Sequence, residues 1–446
     1  MRDFYKKVVV IALPVAVQQL ISTSVNFIDT IMIGRLGEES IAAVGLSNKV
    51  FFLYILLLFG MTSGGSIFLS QFWGKKEDEN IAKTTAIICF FSLAASLIFL
   101  IPSLFFPAFT LRILSPDAEV IKIGLQYLPL MAISFPLVAL TLVFETVLKS
   151  TEKTIIPMYT SMIAMGSNII LNYIFIFGKF GFPAMGVKGA ALGTVIARVL
   201  QLVIIVSIIK IKKHHGLFSF KDIKNLTPSF IKRFLKLTIP TTGQEFFWAL
   251  GFTTYSVIYS YMGTNIIAAR SVMETVESLA FTLLIAISNA SAILIGKELG
   301  ASLFERAIQT ARRLLILNVS IAILMGVFIF FIREPILIFF NVSEEVKILI
   351  KQVLLITAFF IPVKTINLMN IVGILRAGGD TKYSFFVEVG TLWGFGIPIA
   401  FITGLILKFP FPIVYLFSLG EECIKAVIML RRYKSKKWAK NVVDNI

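Results

Sequence analysis

Few ionisable residues interrupt the long apolar runs of this 446-residue chain, and those few are the ones whose chemistry needs explaining. Asp29 stands in Asn26-Phe27-Ile28-Asp29-Thr30, about one helical turn inside an apolar stretch that ends at Gly34-Arg35. Asn168 and Asn172 are spaced i,i+4, which puts two amides on one helix face. Thr194 closes the small-residue run Gly189-Ala190-Ala191-Leu192-Gly193-Thr194. One carboxylate among several neutral oxygens suits a small hard cation, with Na⁺ on Asp29, Asn168 and Asn172, or a proton held on a desolvated carboxyl. Asn26 and Thr194 complete that cation-coupling set. Each residue also has a plainer reading. Asp29 could be solvated at the outer interface, the two amides could only hold helices together at about 1 kcal/mol each, and Thr194 could serve packing.

The second half of the chain carries a different set. Glu245 precedes Phe246-Phe247-Trp248, Glu274 and Glu277 are spaced i,i+3, and Lys364 follows ninety residues on. Glu274 and Glu277 face the same way, so they either share a proton or one of them pairs with Lys364; a purely structural ion pair is the competing reading. Carboxylates among aromatic rings suit a lipophilic organic cation through charge pairing and cation–π attraction, which makes Glu245, Glu274, Glu277, Lys364 and Trp248 the substrate-binding candidates. Glu145 and Glu388 lie nearer the expected cytoplasmic ends of their segments, where snorkelling or a loop contact accounts for them. Cys89 and Cys423 are too few for a disulfide framework. The chain has no HExxH, no CxxC pair, no nucleophile elbow and no phosphate loop, so neither an enzyme nor a cofactor is expected. A metal site at His214-His215 is a minor alternative.

What must position these residues follows from composition. A mean hydropathy of +0.88 and only 15% charged residues exclude an ordinary soluble domain, whose charged share is about 25%. The apolar segments run to roughly 20 residues or more and contain Gly and Pro, as membrane helices do and barrel strands do not. The expectation is an all-α integral membrane protein of about twelve transmembrane helices, centred near residues 20, 59, 96, 134, 166, 198, 247, 281, 320, 360, 395 and 421. The chain is also written twice. Pro14, Gln18, Gly37, Ile41, Ala42 and Ala43 return as Pro240, Gln244, Gly263, Ile267, Ala268 and Ala269 at one offset of 226, and the register resumes at Pro136 and Pro362. Six spans fall in each copy, so two six-helix lobes insert in the same sense, related by a pseudo-twofold axis along the membrane normal. Residues 1–211 are expected to form the N-terminal lobe, 212–229 a cytoplasmic basic linker and 230–446 the C-terminal lobe.

The net charge of +17 is distributed by side of the membrane, with Lys6, Lys7, Lys75, Lys76, the Lys210–Lys236 stretch and the basic tail on one side. The positive-inside rule makes that side, and both termini, cytoplasmic. Anionic lipid is therefore the expected partner of the basic surface, nucleic acid is not, and a monomer is expected. The first apolar segment belongs to the repeat, carries Asp29 and has no small-residue cleavage pattern, so it is expected to stay in the mature chain.

At these residues the chain resembles the multidrug and toxic compound extrusion (MATE) family of the multidrug, oligosaccharidyl-lipid and polysaccharide flippase superfamily. The stretches that carry the likeness are Leu13-Pro14 with Phe27 to Gly37, the Gly178 to Ala191 run, and Leu375-Arg376-Ala377-Gly378-Gly379-Asp380-Thr381. The resemblance implies two bundles alternating between inward-open and outward-open states, exporting amphipathic, often cationic compounds in exchange for H⁺ or Na⁺. It implies coupling at Asp29, a contribution from Asn168 and Asn172, and an acid of the seventh span at Glu245. Asn172 stands where members with the clearest ion site carry Asp, which removes a charge and puts Na⁺ binding in question. The alternative within the superfamily is a lipid-linked oligosaccharide flippase, which would want several Lys or Arg for pyrophosphate; Lys49, Arg198 and Lys364 are the main intramembrane bases against several acids. Asp29 maps onto Tyr255 across the duplication, and Asn48 onto Glu274, so the lobes share a scaffold and differ in chemistry.

Overall fold

A computed structural model describes residues 2–340 and 342–444. Among them the only strand-type pairing is an isolated bridge between His215 and Leu217. The first six long helices are α1 (Arg2–Gly34), α2 (Glu38–Lys75), α3 (Asp78–Phe105), α4 (Ala118–Ser150), α5 (Ile155–Phe177) and α6 (Val187–Ile211). The next four are α7 (Pro228–Met262), α8 (Thr264–Gly300), α9 (Phe304–Ile332) and α10 (Glu344–Leu368). The eleventh span is broken: α11 (Thr381–Thr391) passes through a π-type turn at Leu392–Gly396 into α12 (Ile397–Phe401) and a second such turn at Ile402–Ile406. The last span is α13 (Phe411–Ser418) followed at once by α14 (Gly420–Lys434). Ten of these segments are long and apolar enough to cross a bilayer. The more polar α7 and the interrupted α13–α14 pair bring the architecture to twelve spans in two six-helix lobes. α2, at 38 residues, is about 57 Å long against an apolar bilayer core of about 30 Å, which is why its ends carry Glu38, Glu39 and Lys75.

The packing is that of a protein whose solvent is lipid. Along α9 the buried positions are Ala307, Thr310, Ala311, Leu314, Asn318, Ala322, Gly326 and Ile329, largely small residues on one helix face. Ile316, Ile323, Leu324, Val327, Phe328 and Phe331 are exposed on the same helix. Small residues allow helices to approach closely where lipid offers no hydrophobic drive. At Gly326 an added Cβ would stand 2.4 Å from the Ala358 carbonyl oxygen, so α9 and α10 touch backbone to backbone there. In the first lobe, Tyr54 donates its hydroxyl to the Phe135 carbonyl at 2.5 Å and stacks on the Phe135 ring, tying α2 to α4.

The compact units are not cut at the linker. One is Leu13–Leu235; the other joins the residues before it to those after it. Within the first, Phe230 and Phe234 from the start of α7 pack on Phe68 and Phe72 of α2. Within the second, Arg313 of α9 lies over the ring of Phe4. α1 and α7 therefore each begin in one unit and finish in the other, with the division two residues before Pro14 in α1 and five before Pro240 in α7.

Candidate functional site: a half-buried carboxylate among amides, and a second lobe of ion pairs

In the first lobe the structure brings together four of the five cation-coupling candidates. Asn172 donates Nδ2 to Asp29 Oδ1 at 2.9 Å and, more weakly, to Asn168 Oδ1 at 3.4 Å. Asn168 in turn donates to Thr194 Oγ1 at 3.2 Å, and Thr194 donates to the Ala190 carbonyl. α1, α5 and α6 thus meet at one carboxylate, two amides and a hydroxyl. Asn172 Oδ1 is buried and has no hydrogen-bond partner. It points at Gly193, where an added Cβ would lie only 2.2 Å from it, so the small-residue run of α6 is what admits the amide. Asn26 is not in the cluster: it is exposed, and its carbonyl accepts from Thr30.

A second polar layer in the same unit was not foreseen. Glu145, expected to snorkel, is instead buried at 6% exposure. It accepts from Gln18 at 2.9 Å, Gln201 at 3.1 Å, Ser161 at 3.3 Å and Lys149 at 3.1 Å. The reason is that four donors from four helices converge on it, and a satisfied buried carboxylate need not reach for water. Arg198 donates to Gln201 at 3.0 Å and bears electrostatically on both Glu145 and Asp29, so it stands between the two layers. The repeated Gln18 was the one signal in the sequence for this layer.

In the second lobe the substrate-binding candidates are all partnered. Glu277 takes Lys364, which resolves the alternatives for the Glu274 and Glu277 pair. Glu274 takes Arg270, whose guanidinium sits between the rings of Phe252 and Tyr259 at 5.0 and 4.9 Å. Glu245 accepts from Arg376 at 2.9 Å. Trp248 is exposed and stacks on Phe252 at 5.9 Å. Glu245, Glu274 and Glu277 thus each form an ion pair with a different base. Glu388, likewise expected near an interface, is buried and accepts from Lys425 at 2.9 Å. An apolar groove of about 350 Å³ runs along α7 and α12, lined by Thr254, Val257, Ile258, Tyr261, Pro398 and Phe401 among others. No group of three or more His, Cys, Asp or Glu able to hold a metal ion occurs among the described residues.

The fold and these buried polar layers define a multi-pass α-helical membrane protein built from two six-helix lobes. The chain belongs to the MatE family of transporters: the MatE family model matches residues 14–174 and 240–402, once in each lobe. Among curated relatives it is 28% identical over 421 residues to the "Uncharacterized transporter YisQ" of Bacillus subtilis, covering 92% of this chain and 90% of that one. It is 24% identical over 460 residues to the "Probable multidrug resistance protein NorM" of Thermotoga maritima, covering 99% and 94%. Among solved structures, "Crystal structure of MATE in the straight conformation" superposes with a TM-score of 0.86 at 19% identity, over 97% of this chain and 96% of that one.

Proposed function

We propose that this chain is a secondary active multidrug efflux transporter of the cell membrane, a monomer with both termini cytoplasmic, which exports amphipathic organic cations in antiport with H⁺ or Na⁺. The observation that carries the coupling half is the Asp29–Asn172–Asn168–Thr194 cluster, in which one acid of α1 is held by the Asn172 amide of α5, itself bonded to Asn168. The substrate class rests on the multidrug resistance proteins to which the chain is similar.

Asp29 works as a lock. As a carboxylate it ties α1 to α5 through a charge-assisted bond worth about 1.5–3 kcal/mol. A proton on Asp29, or Na⁺ among Asp29, Asn168, Asn172 and Thr194, neutralises the acid and frees α1 to repack below Pro14. Reversing a two-state equilibrium from 1:99 to 99:1 takes about 5.5 kcal/mol, so losing this one bond biases the transporter without reversing it. In the second lobe Glu274, whose side chain is 35% exposed, is more open than Glu245 at 15% or Glu277 at 17%, and with exposed Trp248 it is where a lipophilic cation first meets charge. A cation bound at Glu245 or Glu277 has to displace Arg376 or Lys364.

The flippase reading is disfavoured because Arg270, Lys364, Arg376 and Lys425 each hold a carboxylate, which leaves those bases committed and not free for pyrophosphate. The test is efflux of a fluorescent organic cation from proteoliposomes under an imposed pH gradient and, separately, an imposed Na⁺ gradient. One of the two should drive export, and Asp29→Asn should abolish it while the protein remains folded; undiminished driven export in Asp29→Asn refutes the assignment.

A further inference from the structure

The offset of 226 that duplicates the scaffold takes Asp29 to Tyr255, and an acid from the last helix of the lobe stands beside that tyrosine. Asp29 maps to Tyr255 in α7, Ile170 to Gly396 at the end of the first π-type turn, and Val195, beside Thr194, to Glu421 in α14. α5 and α11 keep this register, beginning at Ile155 and Thr381, whereas α6 begins at Val187 and α13 at Phe411, two residues ahead of it. In the second lobe these three residues meet. A Cβ added to Gly396 would stand 2.1 Å from Glu421 Oε2 and 2.2 Å from the Tyr255 hydroxyl, so both oxygens press on the one residue without a side chain. Glu421 is 7% exposed. Its Oε2 and the Tyr255 hydroxyl are buried, and although they are neighbours neither meets hydrogen-bond geometry with any partner.

The charges that face Glu421 are Glu422 and Lys425 from α14 and Glu388 from α11, with Tyr255 and Tyr259 from α7. Lys425 is the one ammonium among three carboxyls, and it is already committed. Its Nζ donates to Glu388 Oε1 at 2.9 Å and to Glu422 Oε1 at 3.2 Å. Glu422 is satisfied further by the Asn367 amide at 2.5 Å, and Lys364 is held by Glu277. Glu421 is left over. A buried carboxylate with no ion pair of its own, and beside it only a Tyr255 hydroxyl outside hydrogen-bond geometry, is a costly state. A carboxyl that carries a proton has no charge to solvate and turns Oε2 into a donor that the Tyr255 oxygen can accept. A metal ion would need several oxygens and its own volume, next to an ammonium that repels it; the contact with Gly396 leaves no such volume, and a proton needs none.

We propose that Glu421 is a second proton-carrying carboxyl, seated in the C-terminal lobe beside Tyr255, the residue that the duplication pairs with Asp29, and that the proton it carries completes a hydrogen bond to the Tyr255 oxygen. It takes one proton from water onto Oε2 and returns the same proton to water, with no electron transferred and no other bond changed. Its role in driving export rests on the antiport reading above; its protonation does not. The test is infrared difference spectroscopy of the full-length protein in liposomes, taken across a pH titration. The wild type should show the carbonyl stretch of a protonated buried carboxyl, and Glu421→Gln should lose one carboxyl equivalent per chain. Tyr255→Phe, which keeps the ring, should shift that band to the frequency of a carboxyl without a hydrogen-bond partner. Asp29→Asn should leave it in place, so the spectrum separates this proposal from the coupling role of Asp29. Retention of every protonated-carboxyl band in Glu421→Gln overturns the proposal, and if that variant does not fold, an unmoved band in Tyr255→Phe overturns it instead.

Discussion

Removing the Lys425 ammonium is the sharpest test of how the second lobe is held together. Lys425 is 3% exposed and donates to Glu388, itself buried, at 2.9 Å and to the half-buried Glu422 at 3.2 Å. Lys425→Met keeps the length and apolar stem of the side chain and deletes only the charge. Glu422 retains the Asn367 amide, whereas Glu388 has no other donor among the described contacts. Taking one partner from a buried pair costs about 3–5 kcal/mol, because the remaining charge is stranded. For a folding unit of roughly 200 residues that is about 10 °C in Tm. The assay is thermal unfolding of detergent-purified protein, and the second variant is Lys425→Met with Glu388→Gln, which removes the stranded charge as well. The double variant should recover a large part of the loss, a coupling that the double-mutant cycle measures directly. A fall of less than about 2 °C in Lys425→Met, or additive losses in the cycle, would refute the account.

Three further outcomes are expected. Gly193→Ala places a methyl 2.2 Å from Asn172 Oδ1 and should turn the amide away from Asp29, costing about 1.5–3 kcal/mol at that bond; cation-driven efflux should fall about tenfold or more, and wild-type efflux would contradict it. Gly326→Ala forces the α9 backbone from the Ala358 carbonyl, now 2.4 Å from the added Cβ position, and should lower stability by about 1–3 kcal/mol, read as an earlier unfolding midpoint. Asp222 in the linker accepts from the Ser219 backbone N–H at 2.6 Å, which holds its carboxyl below the usual carboxylate range. A depressed acid stabilises above its unfolded value and loses that contribution as pH falls through the folded one, so hydrogen exchange at residues 219–224, corrected for intrinsic rate, should rise below about pH 4; a flat profile would count against the cap.

Much of the scaffold was legible because membrane helices announce themselves one at a time. Long apolar runs marked the spans, and a single offset of 226 exposed the duplication, since each signal lies along the chain and needs no knowledge of neighbours. The first-lobe cluster was partly legible for the same reason: Asn168 and Asn172 share a helix face by spacing, and Asp29 stands out as an acid in an apolar run. Asn26 shares a helix face with Asp29 by its i,i+3 spacing, yet it stands exposed and outside the cluster, which the spacing does not foretell.

What only the tertiary structure decided is which charge meets which. Gln18 reaches Glu145 across 127 residues, Arg376 reaches Glu245 across 131, and Lys364 reaches Glu277 across 87, and no local period links such pairs. That choice changed Glu145 and Glu388 from interfacial acids into satisfied cores. It also showed that Tyr255, which the sequence presents as the lost counterpart of Asp29, lies beside an acid after all, contributed by the last helix of the lobe. The sequence by itself determined that acids would be buried in lipid; the helix packing determined their partners, because in a low-dielectric interior each charge is worth what its nearest neighbour makes it.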